Sequence, residues 1–220
     1  MIIRLLGTNG SGKSHIVFGL FALCQPRRIF GMLGPRHPEA NELKLPGVEK
    51  PLYIIGPYVT QCGGCDAIRE FDNIGVLIKK YMDKGHVLFE GVLAGSTYGR
   101  LGDIMKPYGK QAVWVFLSTS KEECIARVEA RRKKAHNDRE FNPTNLSYKH
   151  DQVLRVLRRI RDNEDKANMV AMWVSSDQGA KAIVELLNGR VSPKFAPPLD
   201  KGARKDKAGK GRRDAAAVDR

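Results

Sequence analysis

An α/β protein of the three-layer kind, a mainly parallel sheet flanked by helices, is predicted by three observations. Short runs rich in Val, Ile and Leu alternate with longer stretches of helical periodicity, the pattern of strands joined by helical crossovers. A glycine-rich turn follows the first of these runs and opens the first helical stretch. At 220 residues, 42% of them hydrophobic, the chain is long enough for one domain with a sizeable core.

Taken in order, strands are expected at 1–6 ("MIIRLL"), 27–33, 52–56, 86–91, 112–118 and 169–176. Helices are expected at 13–23, 67–83, 95–105, 120–136, 147–165 and 178–188. Between 34 and 51 the text "GPRHPEANELKLPGVEKP" is broken by prolines and glycines, and it reads as a surface excursion without regular structure. Residues 1–189 form the expected folded domain. From 190 to 220 the composition shifts to ten Lys and Arg against four Asp with little to bury, which predicts a basic flexible tail.

The net charge of +14 is only partly the tail's: +6 falls on residues 190–220, leaving +8 on the rest. Such a field draws in polyanions, nucleic acid above all. No apolar run reaches the roughly 18 residues a membrane helix needs, and the chain enters a strand and glycine turn at once, so a soluble cytoplasmic protein without signal peptide is expected. Four cysteines, Cys24, Cys62, Cys65 and Cys124, are too few and too unevenly spaced for a disulfide framework. Cys62 and Cys65 form C-x-x-C, but no second pair completes a zinc set.

In "GTNGSGKS" the residues Gly7, Gly12, Lys13 and Ser14 fit G-x-x-x-x-G-K-[ST] between a strand and a helix. The backbone of Gly7, Asn9, Gly10, Ser11 and Gly12 would turn its N–H groups toward phosphate oxygens. Lys13 would reach the β- and γ-phosphates, and Ser14 would ligate Mg²⁺. ATP and Mg²⁺ are therefore the expected cofactors.

Holding a nucleoside triphosphate leaves a motor, a switch and a kinase open; of these, phosphoryl transfer to an acceptor would further need an acid to orient the attacking hydroxyl and cations to neutralise the transferring group. Asp66, flanked by Gly63 and Gly64 at an expected helix start, is the favoured base; its competing use is as an ordinary N-cap. Glu90, ending "VLFEG", is the other candidate, holding Mg²⁺ or taking the proton itself. Arg127, Arg131 and Arg132 lie on the helix leading into a polar stretch, suiting an arginine-bearing lid at about 131–147 or, more simply, a solvated helix end. Tyr58 and Phe71 are candidates to stack on a base. In "VLRVLRRIRDNEDK" an apolar stripe of Val153, Leu157 and Ile160 leaves Arg155, Arg158, Arg159 and Arg161 on other faces, either as a ridge for a phosphate backbone or as a solvated face. In the tail, Lys205, Lys210, Arg212 and Arg213 are candidate nucleic-acid contacts.

Three stretches, "GPYVTQCGGCDAIRE", "LFEG" and "VFLSTSKEECIARVEARRKK", resemble in residues and order the P-loop kinases of the nucleoside, nucleotide and polynucleotide kinase group. That resemblance implies a P-loop kinase-like fold, catalytic roles for Lys13, Asp66, Glu90 and Arg131, and nucleotide contacts from Arg127 and Arg132. With "QCGGCD" and "FEGVLAGSTYGR" about the acceptor pocket, the chain is most similar to bacteriophage kinases that phosphorylate 5-hydroxymethyluracil in DNA during thymidine hypermodification. The implied acceptor is then DNA, which fits the positive charge. A kinase for free nucleosides, nucleotides or 5′-hydroxyl ends, and a nucleic-acid-binding NTPase without an organic acceptor, are the rival readings.

Overall fold

The computed structural model describes residues 1–60, 63–91, 98–137, 140–162 and 170–190. The strands are β1 (Ile2–Leu6), β2 (Arg27–Ile29), β3 (Ala40–Leu43), β4 (Leu52–Ile55), β5 (His86–Glu90), β6 (Ala112–Leu117) and β7 (Val170–Val174). The helices are α1 (Lys13–Leu23), α2 (Phe71–Met82), α3 (Tyr98–Met105), α4 (Lys121–Lys134), α5 (Pro143–Asp162) and α6 (Gly179–Leu187), with 3₁₀ turns at Gly64–Ala67 and Lys106–Gln111.

Among the described residues one sheet runs β2-β3-β4-β5-β1-β6-β7. From β4 to β7 all neighbours are parallel, while β2–β3 and β3–β4 are antiparallel. The parallel strands read as mostly apolar runs, Arg4 in β1 and Glu90 at the end of β5 excepted, because helices cover both faces. On one face Ile2, Val87, Phe89, Trp114 and Phe116 pack with α2, α3 and α5. On the other, Ile3, Leu5, Leu88, Val113 and Val115 pack with α1 and α6. The stripe on α5 is buried as its periodicity predicts: Val153, Val156, Leu157 and Ile160 join the first core, leaving Arg155, Arg158 and Arg159 exposed. Helix α4 starts where the Ser120 hydroxyl accepts from Glu123 N–H at 3.1 Å, an N-cap that meets one of the unpaired first-turn donors.

One expectation is overturned. The stretch 34–51 is not irregular throughout, since residues Ala40–Leu43 form β3, fully buried between β2 and β4. Its polar residues are matched by partners distant in sequence. Asn41 Nδ2 donates to the Gly56 carbonyl at 3.0 Å, Glu42 pairs with Arg27 and accepts from the Tyr53 hydroxyl at 3.2 Å, and Glu39 meets Lys80 and Tyr81. The expected strand at 27–33 correspondingly stops at Ile29, where the chain turns.

Candidate active site

All five parallel strands point their carboxyl ends to one edge, the edge at which ligands gather in open α/β sheets. A cavity of about 820 Å³ opens there. Its floor is the loop between β1 and α1. Gly12 has φ +100°, and a Cβ there would lie 2.5 Å from Ser176 Cβ, so only glycine fits this turn. The same loop is tied to its surroundings by Thr119, whose hydroxyl donates to the Ser11 carbonyl at 2.7 Å. No side chain caps α1, which leaves its first-turn N–H groups to another acceptor. Lys13 curls back over the loop, donating to the carbonyls of Gly7 at 2.9 Å and Thr8 at 3.2 Å. These features suit a polyphosphate: a side-chain-free cradle, uncapped helix donors and one ammonium at its mouth.

Across the cavity stand the two acids. Asp66 lies in the 3₁₀ turn Gly64–Ala67, not at the N-cap of α2, which starts only at Phe71. A Cβ on Gly91 would sit 3.0 Å from Asp66 Oδ1, which puts this carboxylate beside the end of β5. Asp66 is exposed to the cavity, whereas Glu90 at its base is only 2% exposed. Burial lifts the Glu90 carboxyl above the ordinary carboxylate value. The Lys13 ammonium draws it back, the Asp66 charge pushes it further up, and the Tyr58 hydroxyl, donating to Oε1 at 3.2 Å, favours the ionised form. Beneath them Arg4 is wholly buried, its guanidinium 4.7 Å from the Trp114 ring centre and 5.9 Å from that of Phe89. Burial brings Arg4 down to about 9, so it stays a cation at neutral pH beneath Asp66 and Glu90, with which it lines a second cavity of about 20 Å³.

The remaining wall is basic. Arg127 on α4 reaches Ser176 Oγ at 3.4 Å and is held by Glu123 at 2.5 Å, and Arg131, one turn on, also lines the cavity. Thus the site candidates Asn9, Gly10, Gly12, Lys13, Ser14, Asp66, Glu90, Arg127 and Arg131 share one space. Gly7 and Ser11, buried within the same loop, do not line the cavity. Arg132 does not face the cavity; it donates to Asn137 Oδ1 at 3.4 Å and lies 5.8 Å from the Phe141 ring centre.

Neither aromatic candidate offers a stacking face here. Tyr58 is buried edge-on against Phe18 and Phe21, and Phe71 is covered by Arg100. Cys65 is buried, which pushes its thiol up and away from reactive thiolate chemistry, while Cys62 lies outside the described residues. Also outside them are the tail candidates Lys205, Lys210, Arg212 and Arg213. The sequence reading missed five lining residues: His15, Phe18, Ala67, Ser176 and Asp177. Ser176 and Asp177 enter because β7 ends at Val174, two residues earlier than expected; the turn-forming "SSDQG" was the available signal.

A mainly parallel sheet flanked by helices, with a glycine-rich loop between its first strand and first helix, is the P-loop kinase-like fold. No family model matches the chain. It is 30% identical over 188 residues to the 5-hmdU DNA kinase of Pseudomonas phage PaMx11, covering 84% of this chain and 96% of that protein. It is 27% identical to the 5-hmdU DNA kinase of Pseudomonas phage M6, over 84% of this chain and 98% of that one. With the 5-hmdU DNA kinase of Delftia phage PhiW-14 the identity is 25%, over 86% and 73% of the two chains. The chain belongs to the family of phage 5-hmdU DNA kinases.

Among the described residues no helix is long and apolar enough to cross a membrane.

Proposed function

We propose that this chain moves the γ-phosphate of ATP to the hydroxymethyl oxygen of 5-hydroxymethyluracil in DNA. The observation that carries the reading is the convergence of Lys13, Asp66, Glu90 and Arg131 on one cavity. The names of the three phage relatives supply the acceptor.

The roles follow from accessibility and charge. The loop from Gly7 to Ser14, with Lys13, holds the β- and γ-phosphates. Asp66, exposed to the cavity and backed by glycines, orients the acceptor hydroxyl and takes its proton as that oxygen bonds to the γ-phosphorus. The bond from that phosphorus to the β–γ bridging oxygen breaks, and ADP leaves with the electron pair. Glu90, deeper and beside Lys13, serves with Ser14 as the metal-holding pair. Mg²⁺ bound there would neutralise charge between the β- and γ-phosphates. Arg127 and Arg131 supply planar donors to the phosphoryl oxygens. The stretch about 131–147 is the candidate lid; the first half of α4 and the start of α5 on either side of it share a small core of Cys124, Val128 and Leu146. The exposed Arg155, Arg158 and Arg159, with the basic tail, contact the DNA backbone.

The test is incubation of the purified chain with γ-labelled ATP, Mg²⁺ and DNA carrying 5-hydroxymethyluracil, followed by digestion to nucleosides and mass analysis. Label on the hydroxymethyl oxygen is expected. Label on 5′ ends or free nucleosides, or release of inorganic phosphate alone, would favour the rival readings.

A further inference from the structure

The turn that replaces the expected second half of β2 is built in a way that packing alone does not explain. Phe30 and Met32 are 49% and 46% exposed at its tip. Scattered exposed apolar residues need no explanation, but this pair sits on a turn that is fixed from below. Gly34 N–H donates to the Gly31 carbonyl at 2.9 Å, and Glu39, wholly buried, accepts from Met32 N–H at 2.6 Å. That same carboxylate accepts from the Tyr81 hydroxyl at 2.5 Å and pairs with Lys80, both on α2. Burial would lift the Glu39 carboxyl, yet these three donors hold it below the ordinary value. An apolar tip is thus anchored to the main body through the buried Glu39 carboxylate, which pairs with the exposed Lys80 and the buried Tyr81.

Its position is set by register. Ile29 pairs with Ala40 and Ala40 with Ile55, one residue beyond the pair Ile54–Leu88. The tip therefore rises from the same sheet edge as Glu90. Three strand spacings separate β2 from β5, about 14 Å, comparable with the groove width of B-DNA, about 12 Å. The base of the tip is also bonded to the loop that carries Tyr58, Gly56 N–H donating to the Glu39 carbonyl at 2.9 Å. Its charge is one-signed: residues 27–38, "RRIFGMLGPRHP", hold three arginines and no acid, and Arg28, Arg36 and His37 are exposed.

We infer that the tip of residues 30–34 is a duplex wedge: Phe30 and Met32 enter the base stack beside the target nucleotide while Arg28 and Arg36 hold the flanking phosphates. A base inside a duplex cannot reach a cavity floor without leaving the stack, and rigid apolar wedges flanked by cations are a physical means of opening base steps. The inference rests on the DNA-acceptor reading above and adds how a double-stranded substrate is opened.

The test compares the full chain with Phe30→Ser/Met32→Ser on one oligonucleotide bearing 5-hydroxymethyluracil, single-stranded and annealed. The double variant is expected to lose about tenfold or more in kcat/KM on the duplex while staying within about twofold on the single strand, which also reports that it folds. A 2-aminopurine next to the target base should brighten when the wild-type chain binds the duplex and not when the variant does. Arg28→Gln/Arg36→Gln should weaken duplex binding and reduce the slope of log K against log salt by about 2. Equal losses on both substrates, an unchanged duplex rate, or a wild-type dimer that the variant dissolves would each overturn the wedge. The fluorescence change needs no transfer, so a chain that labels no DNA would refute the acceptor reading and still leave the wedge decided by the 2-aminopurine signal.

Discussion

Gly64→Ala is the most informative perturbation of the catalytic edge, because the structure sets its size at two levels. Gly64 has φ +81°, and a Cβ there would lie 2.5 Å from Glu90 Oε1 and 2.9 Å from Glu90 Cδ. Holding an L-residue in this left-handed region costs about 1–2 kcal/mol. Displacing the carboxylate also weakens its 3.2 Å bond from Tyr58, worth about 1.5 kcal/mol for a charged acceptor. A destabilisation of about 3 kcal/mol follows, to be read from the urea midpoint at unchanged m. To restore ordinary contact, the Glu90 carboxylate must retreat by about 1 Å, and a shift of that size in a catalytic group can lower kcat about 100-fold. The assay is single-turnover transfer to modified DNA, corrected for the folded fraction. If the variant loses stability but each folded molecule transfers at the wild-type rate, Glu90 is not part of the machinery and the assignment fails.

Other outcomes are expected from separate parts of the chain. Lys13→Ala should lower kcat by at least about 1,000-fold while salt-sensitive DNA binding, measured by anisotropy, stays intact; loss of both would mean that donor and DNA surfaces are not distinct. Glu39→Gln should destabilise the fold by about 1–3 kcal/mol at neutral pH. Because the folded Glu39 carboxyl lies below its ordinary value, the stability it contributes is present above about pH 4.5 and lost as pH falls through the folded value. Wild type should therefore lose more stability than Glu39→Gln as pH falls below about 4.5 in urea titrations. Removing residues 191–220 should weaken duplex binding at moderate salt and flatten its salt dependence, with the melting temperature unchanged; a fall in melting temperature would show that the segment belongs to the folded body.

What could be read from the chain divides along physical lines. The loop from Gly7 to Gly12 and the start of α1 at Lys13 were legible because their signal is local: the eight residues GTNGSGKS are contiguous, and the flanking apolar patterns place them at the junction of β1 and α1. That Gly64 is closed in by Glu90 was not legible, since the two lie far apart in the chain. Strand β3 was not legible, since "ANEL" carries two polar residues whose burial depends on Arg27, Tyr53 and Gly56. Nothing local announces such partners. Arg4 shows the same limit: an arginine in an otherwise apolar strand gives no hint that it ends over Trp114 and Phe89. Arg132 failed for a different reason, because neighbouring positions on a helix point about 100° apart and only Arg127 and Arg131, four residues apart, share a face.

Strand β2 is only three residues long, follows Pro26, and presents Arg27 and Arg28 outward at the margin of the sheet. A neighbouring molecule seeking to extend the hydrogen-bonded ladder there would meet a short stub bearing Arg28 beside the Arg27–Glu42 pair. So short and basic a margin is a poor template for an added strand, which leaves the apolar parallel strands behind it shielded from pairing on this side.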